Sequence, residues 1–200
     1  MAAVARKRVS EYPSARVDVS KFEDWDSKGA SFDLVFASAS WHWLQPDVRY
    51  AKAASVLRFG GHIATAHSEH FFPKNFDPLF LPIQEAYRDV TGSGREIVAR
   101  DVPTPGQLDS KDDEHVAEMN RVGDLELTDV TRFLWHIDRT ADQYIDLLAT
   151  YSDHWALEHA ARCQLFDSIH GIIADGPTGS IRKHYLTTLR TSRRIQSIQQ

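Results

Sequence analysis

Residues 32–66 read FDLVFASASWHWLQPDVRYAKAASVLRFGGHIATA, and this stretch decides the fold. Phe32-Asp33-Leu34-Val35-Phe36 is a short, mostly apolar run with the make-up of a buried strand. Small residues, Ala37-Ser38-Ala39-Ser40, end it, and the aromatic cluster Trp41-His42-Trp43 follows. Pro46 suits the first turn of a helix, where its missing N–H has no partner to lose. Tyr50, Ala53, Ala54 and Leu57 then recur at three- and four-residue steps. Gly60-Gly61 stops that helix, and residues 62–66 are the next strand. Strand, crossover helix and strand make a buried parallel pair. In open parallel sheets the ligand crevice lies outside the carboxyl ends of the strands. Residues 38–42 and 66–70 are therefore expected beside any site.

On the amino-terminal side, residues 2–12 read as a helix ended by Pro13, and residues 15–19 alternate like a strand before Phe22-Glu23-Asp24-Trp25. On the other side, residues 71–81 are irregular and an amphipathic helix covers residues 82–89. Residues 92–113, rich in Gly, Pro and charge, read as a mobile loop. A short helix over residues 115–122 ends at Gly123. Residues 130–137 read as a strand, and Thr140-Ala141-Asp142-Gln143 has capping-box spacing. Tyr144, Leu147, Leu148 and Tyr151 share the face that follows. A longer helix covers residues 155–174, closed by Gly176-Pro177, and residues 181–189 are a last strand before a polar tail at residues 195–200. The alternation gives an α/β class, and the late strands, joined by long helices, suggest an antiparallel pair at the sheet's end. With no repeat and no dividing linker, residues 1–200 are expected to form a single domain.

Composition narrows the function. With 42% hydrophobic and 26% charged residues the chain is expected to fold. A net charge of −5 argues against a nucleic-acid or anionic-membrane surface, and the basic runs at residues 6–8 and 190–194 read as solvated faces. Cys163 is the one cysteine, which excludes an internal disulfide and suits a reducing cytoplasm, the expected location. No segment is apolar enough to span a bilayer, and the basic start lacks the apolar core of a secretory signal.

FDLVFASASWHWLQPD followed by KAASVLRFGGHIA resembles the fourth strand, helix and fifth strand of class I S-adenosylmethionine (SAM)-dependent methyltransferases. The WHW cluster is similar to the subgroup of trans-aconitate methyltransferase-like proteins. VDVSKFEDWD resembles the third strand and the acidic turn after it, and HYLTTL fits the antiparallel hairpin that ends this fold. One departure is Phe59, where family members usually carry proline. The larger departure is at the front. The family's first strand with its G-x-G-x-G turn, which cradles the methionine end of SAM, has no counterpart in the sequence. Neither does the acidic residue after the second strand, which holds the ribose hydroxyls. MAAVARKRV resembles the helix after that second strand, and Gly92-Ser93-Gly94 is no substitute for the turn, since no apolar strand precedes it.

The fold class expected is thus an incomplete Rossmann-like methyltransferase sheet: strands 3, 4 and 5 plus antiparallel strands 6 and 7, with strands 1 and 2 missing. The resemblance implies a strand order of 3-2-1-4-5-7-6. At about 4.8 Å between neighbours, strands 3 and 4 are left on the order of 14 Å apart. Strand 4 becomes an exposed edge open to self-association.

The resemblance implies that Phe22 and Glu23 contact adenine of SAM; a packing Phe and a solvated Glu are the alternative. Ser38 and Ala39 are small where a ligand approaches the backbone, or where helix and sheet pack closely. Trp41, His42 and Trp43 line an acceptor pocket or plug the end of the sheet, with His42 a candidate general base. Tyr151 lies after the capped helix and joins the acceptor pocket or the core. His67, Glu69 and His70 are poorly placed for joint metal ligation on a strand, so no metal is expected. Cys163 is expected to be buried. The function expected is SAM-dependent methyl transfer to a small-molecule acceptor, impaired in this chain. The rival is a non-catalytic methyltransferase-like remnant that binds a partner through its exposed strand edge.

Overall fold

The computed structural model describes residues 2–104 and 106–195. Helix α1 (Ala2–Val9) buries none of its residues. Strand β1 (Phe32–Ser38) is followed by a 3-10 turn, Trp41–Trp43, by α2 (Pro46–Val56) and by β2 (Leu57–His70). The parallel pair read from the sequence is present: Leu34 faces His62, Phe36 faces Ala64 and Ser38 faces Ala66. Residues 60 and 61 do not end the helix, however. The helix stops at Val56, and both glycines lie inside β2. Gly60 adopts φ +75° beside an irregularity in the register, and a Cβ on Gly61 would sit 3.1 Å from the Phe32 carbonyl oxygen. The glycines therefore let β2 bend and approach β1.

Helices α3 (Phe80–Thr91) and α4 (Ser110–Val122) follow, then β3 (Leu125–Thr140), α5 (Ala141–Leu148), α6 (Ser152–Trp155), α7 (His159–Ala174) and β4 (Ser180–Arg194). The carboxyl end of the segment expected to be a loop is thus helical from Ser110, because the Asp109 side chain accepts from the Lys111 and Asp112 N–H groups and starts α4. The capping box at Thr140 and Gln143 forms as read.

The sheet order is β1-β2-β4-β3. The Ile195 N–H donates to the Asp124 carbonyl just before β3, while Arg182, near the start of β4, pairs with Asp138 near the end of β3. Arg194 likewise reaches the Leu57 carbonyl at the start of β2, and Phe71, just past its end, donates to the His184 carbonyl. Both neighbours of β4 therefore run antiparallel to it, as expected of the closing hairpin.

One expected strand does not form. Residues 15–19 have no strand partner among the described residues, and Val19 is 70% exposed. Alternation supplies a face but no backbone partner, and an isolated strand gains no ladder. The segment is instead held by side chains: Asp18 accepts from Arg16 at 2.8 Å and from the Trp25 indole at 3.3 Å.

Two compact units divide the chain. Unit 1 comprises Met1–His67, Leu108–Val130 and Leu189–Gln200; unit 2 comprises Ser68–Gln107 and Thr131–Thr188. The core of unit 1 gathers Trp41, Tyr50, Ala53, Ala54, Leu57, Ile63, Met119 and Leu125. That of unit 2 is built on α3, α5 and α7, where Leu165, Ile169 and Ile173 are fully buried. Truncating any of these three to alanine costs about 2–5 kcal/mol. Cys163 is exposed, contrary to expectation. It lies two residues from Leu165, about 200° around the helix, so the buried stripe turns it outward.

Candidate functional site

In unit 1 the crevice forms where β1 ends. The Ala39 N–H donates to the Ala66 carbonyl at 2.8 Å, and Ala39 itself adopts φ +50°. Few residues with a Cβ adopt that conformation, and here it turns the chain sharply at the strand's carboxyl end. The WHW cluster then splits. Trp41 turns inward, 6% exposed, with its ring edge-on to Tyr50 at 4.9 Å. Its carbonyl accepts from Arg49 at 3.0 Å, and Arg49 grips Glu118 with two bonds of 2.6 and 2.7 Å. Trp43 is 80% exposed, its ring 4.9 Å from that of His42, which stands 5.6 Å from the His67 ring. His42, Trp43 and His67 therefore share the surface, while Trp41 belongs to the core.

Phe22 is half-buried against that core. The Glu23 carboxylate accepts the Gln45 N–H at 3.0 Å, which holds its carboxyl below the usual range. Gln45 is the N-cap of α2, so Glu23 fixes the start of that helix. Ser38 closes the β1–β2 ladder opposite Ala66. These residues fit SAM only in part. Small residues leave room beside the strand end, but the Ala39 N–H and the Glu23 carboxylate are already engaged within the protein.

A second site lies wholly within unit 2, a cavity of about 530 Å³. Phe72, Phe80, Tyr144 and Leu148 give it apolar walls, and Tyr151 joins them. Lys183, 4% exposed, also lines it, and its Nζ donates to the Tyr151 hydroxyl at 3.3 Å. Burial, and secondarily the nearby Arg139 charge, lower the ammonium to about 8. His70 also lines the cavity and is lowered to about 3, first by burial and then by Lys183. Along another wall the Tyr87 hydroxyl is 2.7 Å from His154 Nε2, and Asp153 Oδ1 is 3.0 Å from His154 Nδ1. Burial, then the Asp153 charge, push Tyr87 up to about 12.

Of the residues read as site candidates, the structure places Tyr151 in this cavity. His70 falls in the stretch 66–70 expected beside any site, where it is weighed as a metal ligand, while Lys183 and Tyr87 carry no such expectation. A signal for Lys183 existed: two residues after buried Ile181, it falls on the same inward face of β4. Among the described residues no cluster of three His, Cys, Asp or Glu is placed to hold a metal ion. Among them, too, no helix is long and apolar enough to cross a membrane.

Residues 1–65 match a methyltransferase domain. The match ends inside β2 and takes in the turn that carries Ser38, Ala39 and the WHW cluster. A likeness of fold extends beyond residue 65. A proposed type II methyltransferase from Anaeromyxobacter dehalogenans, 18% identical, superposes with a TM-score of 0.60 over 92% of this chain and 74% of its own. The YcgJ protein from Bacillus subtilis is 15% identical, with a TM-score of 0.49 over 98% of this chain and 79% of that one. A proposed methyltransferase from Bacillus halodurans is 14% identical, with a TM-score of 0.48 over 97% and 78%. No curated protein matches the sequence.

Proposed function

We propose that this chain is a SAM-dependent methyltransferase of the class I type acting on a small-molecule acceptor, with cofactor binding weakened relative to the family. The single observation carrying the reading is the β1–α2–β2 unit, whose strand end and turn lie inside the stretch that matches a methyltransferase domain. The unit 2 cavity is the acceptor site in this reading: it is aromatic and provided with a few polar groups, as small-molecule sites are. His42 and Trp43 are surface candidates for acceptor contact or proton transfer. Weak cofactor binding is supported by the partial fit of Phe22, Glu23, Ser38 and Ala39, whose Ala39 N–H and Glu23 carboxylate already bond within the protein. Each lost hydrogen bond is worth about 1 kcal/mol, so several together cost powers of ten in affinity.

Two measurements test this. Calorimetric titration with SAM should give a dissociation constant weaker than micromolar; micromolar binding would refute the weakening. Labelled methyl from SAM at millimolar concentration should appear in some member of a panel of small acids, phenols and amines. No transfer to any of them would defeat the enzyme reading.

A further inference from the structure

We propose that the unit 2 cavity takes a small molecule bearing one carboxylate on an apolar, aromatic body, with the Lys183 ammonium as the carboxylate's partner. The inference rests on the acceptor reading only in making that acid the methyl acceptor; the binding chemistry stands on the cavity itself.

Lys183 is buried, and among the described residues no carboxylate lies within ion-pair distance of its Nζ. Its surroundings are the Tyr151 hydroxyl and the rings of Tyr144, Tyr151 and Tyr185, at 5.8, 5.4 and 5.5 Å. Ring faces partly offset a cation's lost hydration, but a buried charge ordinarily has a full counter-ion. One that opens instead onto a cavity marks where an anion completes the pair. A second observation points the same way. His70 Nε2 is buried, has no hydrogen-bond partner among the described residues, and its ring lines the same cavity. In the Nε2–H tautomer it donates to the second carboxylate oxygen, so that two donors satisfy two acceptors. Arg139 adds positive potential at the Lys183 end.

The body of the ligand follows from the walls. Phe72, Phe80, Tyr144 and Leu148 offer faces and no charge. Of the cavity's own carboxylates, Glu96 is exposed and Asp153 faces His154; neither pairs with Lys183. Arg95 is likewise at an exposed position and donates its backbone N–H to Gln84. A polycarboxylate would press further charges against apolar walls, because Arg139 does not line the cavity and Arg95 is exposed, and burying charges unpaired is costly. An aryl monocarboxylate leaves none unpaired.

The test is equilibrium binding by calorimetry without any methyl donor, using 2-naphthoate, its uncharged amide 2-naphthamide, and citrate. The native chain should bind naphthoate at least about tenfold tighter than naphthamide, the scale of one charge-assisted hydrogen bond. Citrate should show no saturable binding at millimolar concentration. Lys183→Met, which keeps the length and removes the charge, should abolish the preference for acid over amide, and Lys183→Arg should retain part of it. Equal binding of acid and amide to the native chain, tighter binding of citrate, or a preference surviving in Lys183→Met would each overturn the proposal. If Lys183→Met does not fold, the native comparison and Lys183→Arg decide it. Acid-selective binding without methyl transfer to any bound acid would keep this site and remove the acceptor reading. Methyl transfer together with equal binding of acid and amide would do the reverse.

Discussion

Arg190 on β4 donates to Asp112 on α4 at 2.6 Å, and the two side chains are 8% and 0% exposed. The same aspartate accepts the Asp109 N–H at 2.8 Å, closing the capping box that begins α4. One carboxylate therefore ties a helix start to the sheet in unit 1. Removing it strands a buried guanidinium and opens the cap together. Asp112→Ala should lower stability by about 3–5 kcal/mol in urea unfolding. Replacing both partners with apolar residues should recover much of that loss, because no charge is then left unpaired.

The two tryptophans of the WHW cluster should behave oppositely. Trp41→Ala opens the unit 1 core and should cost about 3–5 kcal/mol. Trp43→Ala, at an 80% exposed position, should change stability by no more than about 0.5 kcal/mol. Any loss of acceptor turnover in Trp43→Ala would then report on function alone. Equal destabilisation by both would contradict the placement of Trp41.

Acid should weaken the fold through partly buried histidines. His115 is lowered to about 4 by burial and then by the Arg190 and Arg49 charges, and its Nδ1 is 2.6 Å from the Tyr50 hydroxyl. The unfolded imidazole titrates near 6.5. Between those values the unfolded chain binds a proton that the folded chain does not, so this contribution is complete above pH 6.5 and declines as pH falls to 4. His70 extends the decline to about 3. Urea midpoints should drop from pH 7 to pH 5, and the His115 ring should stay neutral at pH 5 by NMR.

Strand β1 ends the sheet on one side, and Leu34 and Phe36 are 53% and 59% exposed on one of its faces. Unpaired backbone beside apolar side chains invites strand addition. Sedimentation velocity should show concentration-dependent self-association that Leu34→Lys and Phe36→Lys diminish. Because both positions are exposed, stability should shift by no more than about 0.5 kcal/mol. A strictly monomeric native chain at high concentration would rule this out.

The parts of the fold that were readable in advance carry their own local signals. Apolar composition marked β1, Pro46 marked the start of α2, and Thr140 with Gln143 marked that of α5. What failed depends on distant neighbours. Residues 15–19 have the pattern of a strand, but pattern cannot provide a partner. Gly60 and Gly61 look like a helix stop, yet the close approach of β1 makes them part of a bent strand. The site was harder still. The chemistry of Lys183 comes from enclosure by Tyr144, Tyr151 and Tyr185, which only the tertiary packing brings around it.

The position of β4 sets an order of events during synthesis. It is the last of the four strands to leave the ribosome, yet it lies between β2 and β3 and is hydrogen-bonded to both. Each unit also draws on chain from either side of the other. Until β4 emerges, β2 and β3 have no common neighbour and their inner edges stay open. Closure of both units therefore waits for β4, and during that interval the nascent chain depends on whatever shields unpaired strands in the cell.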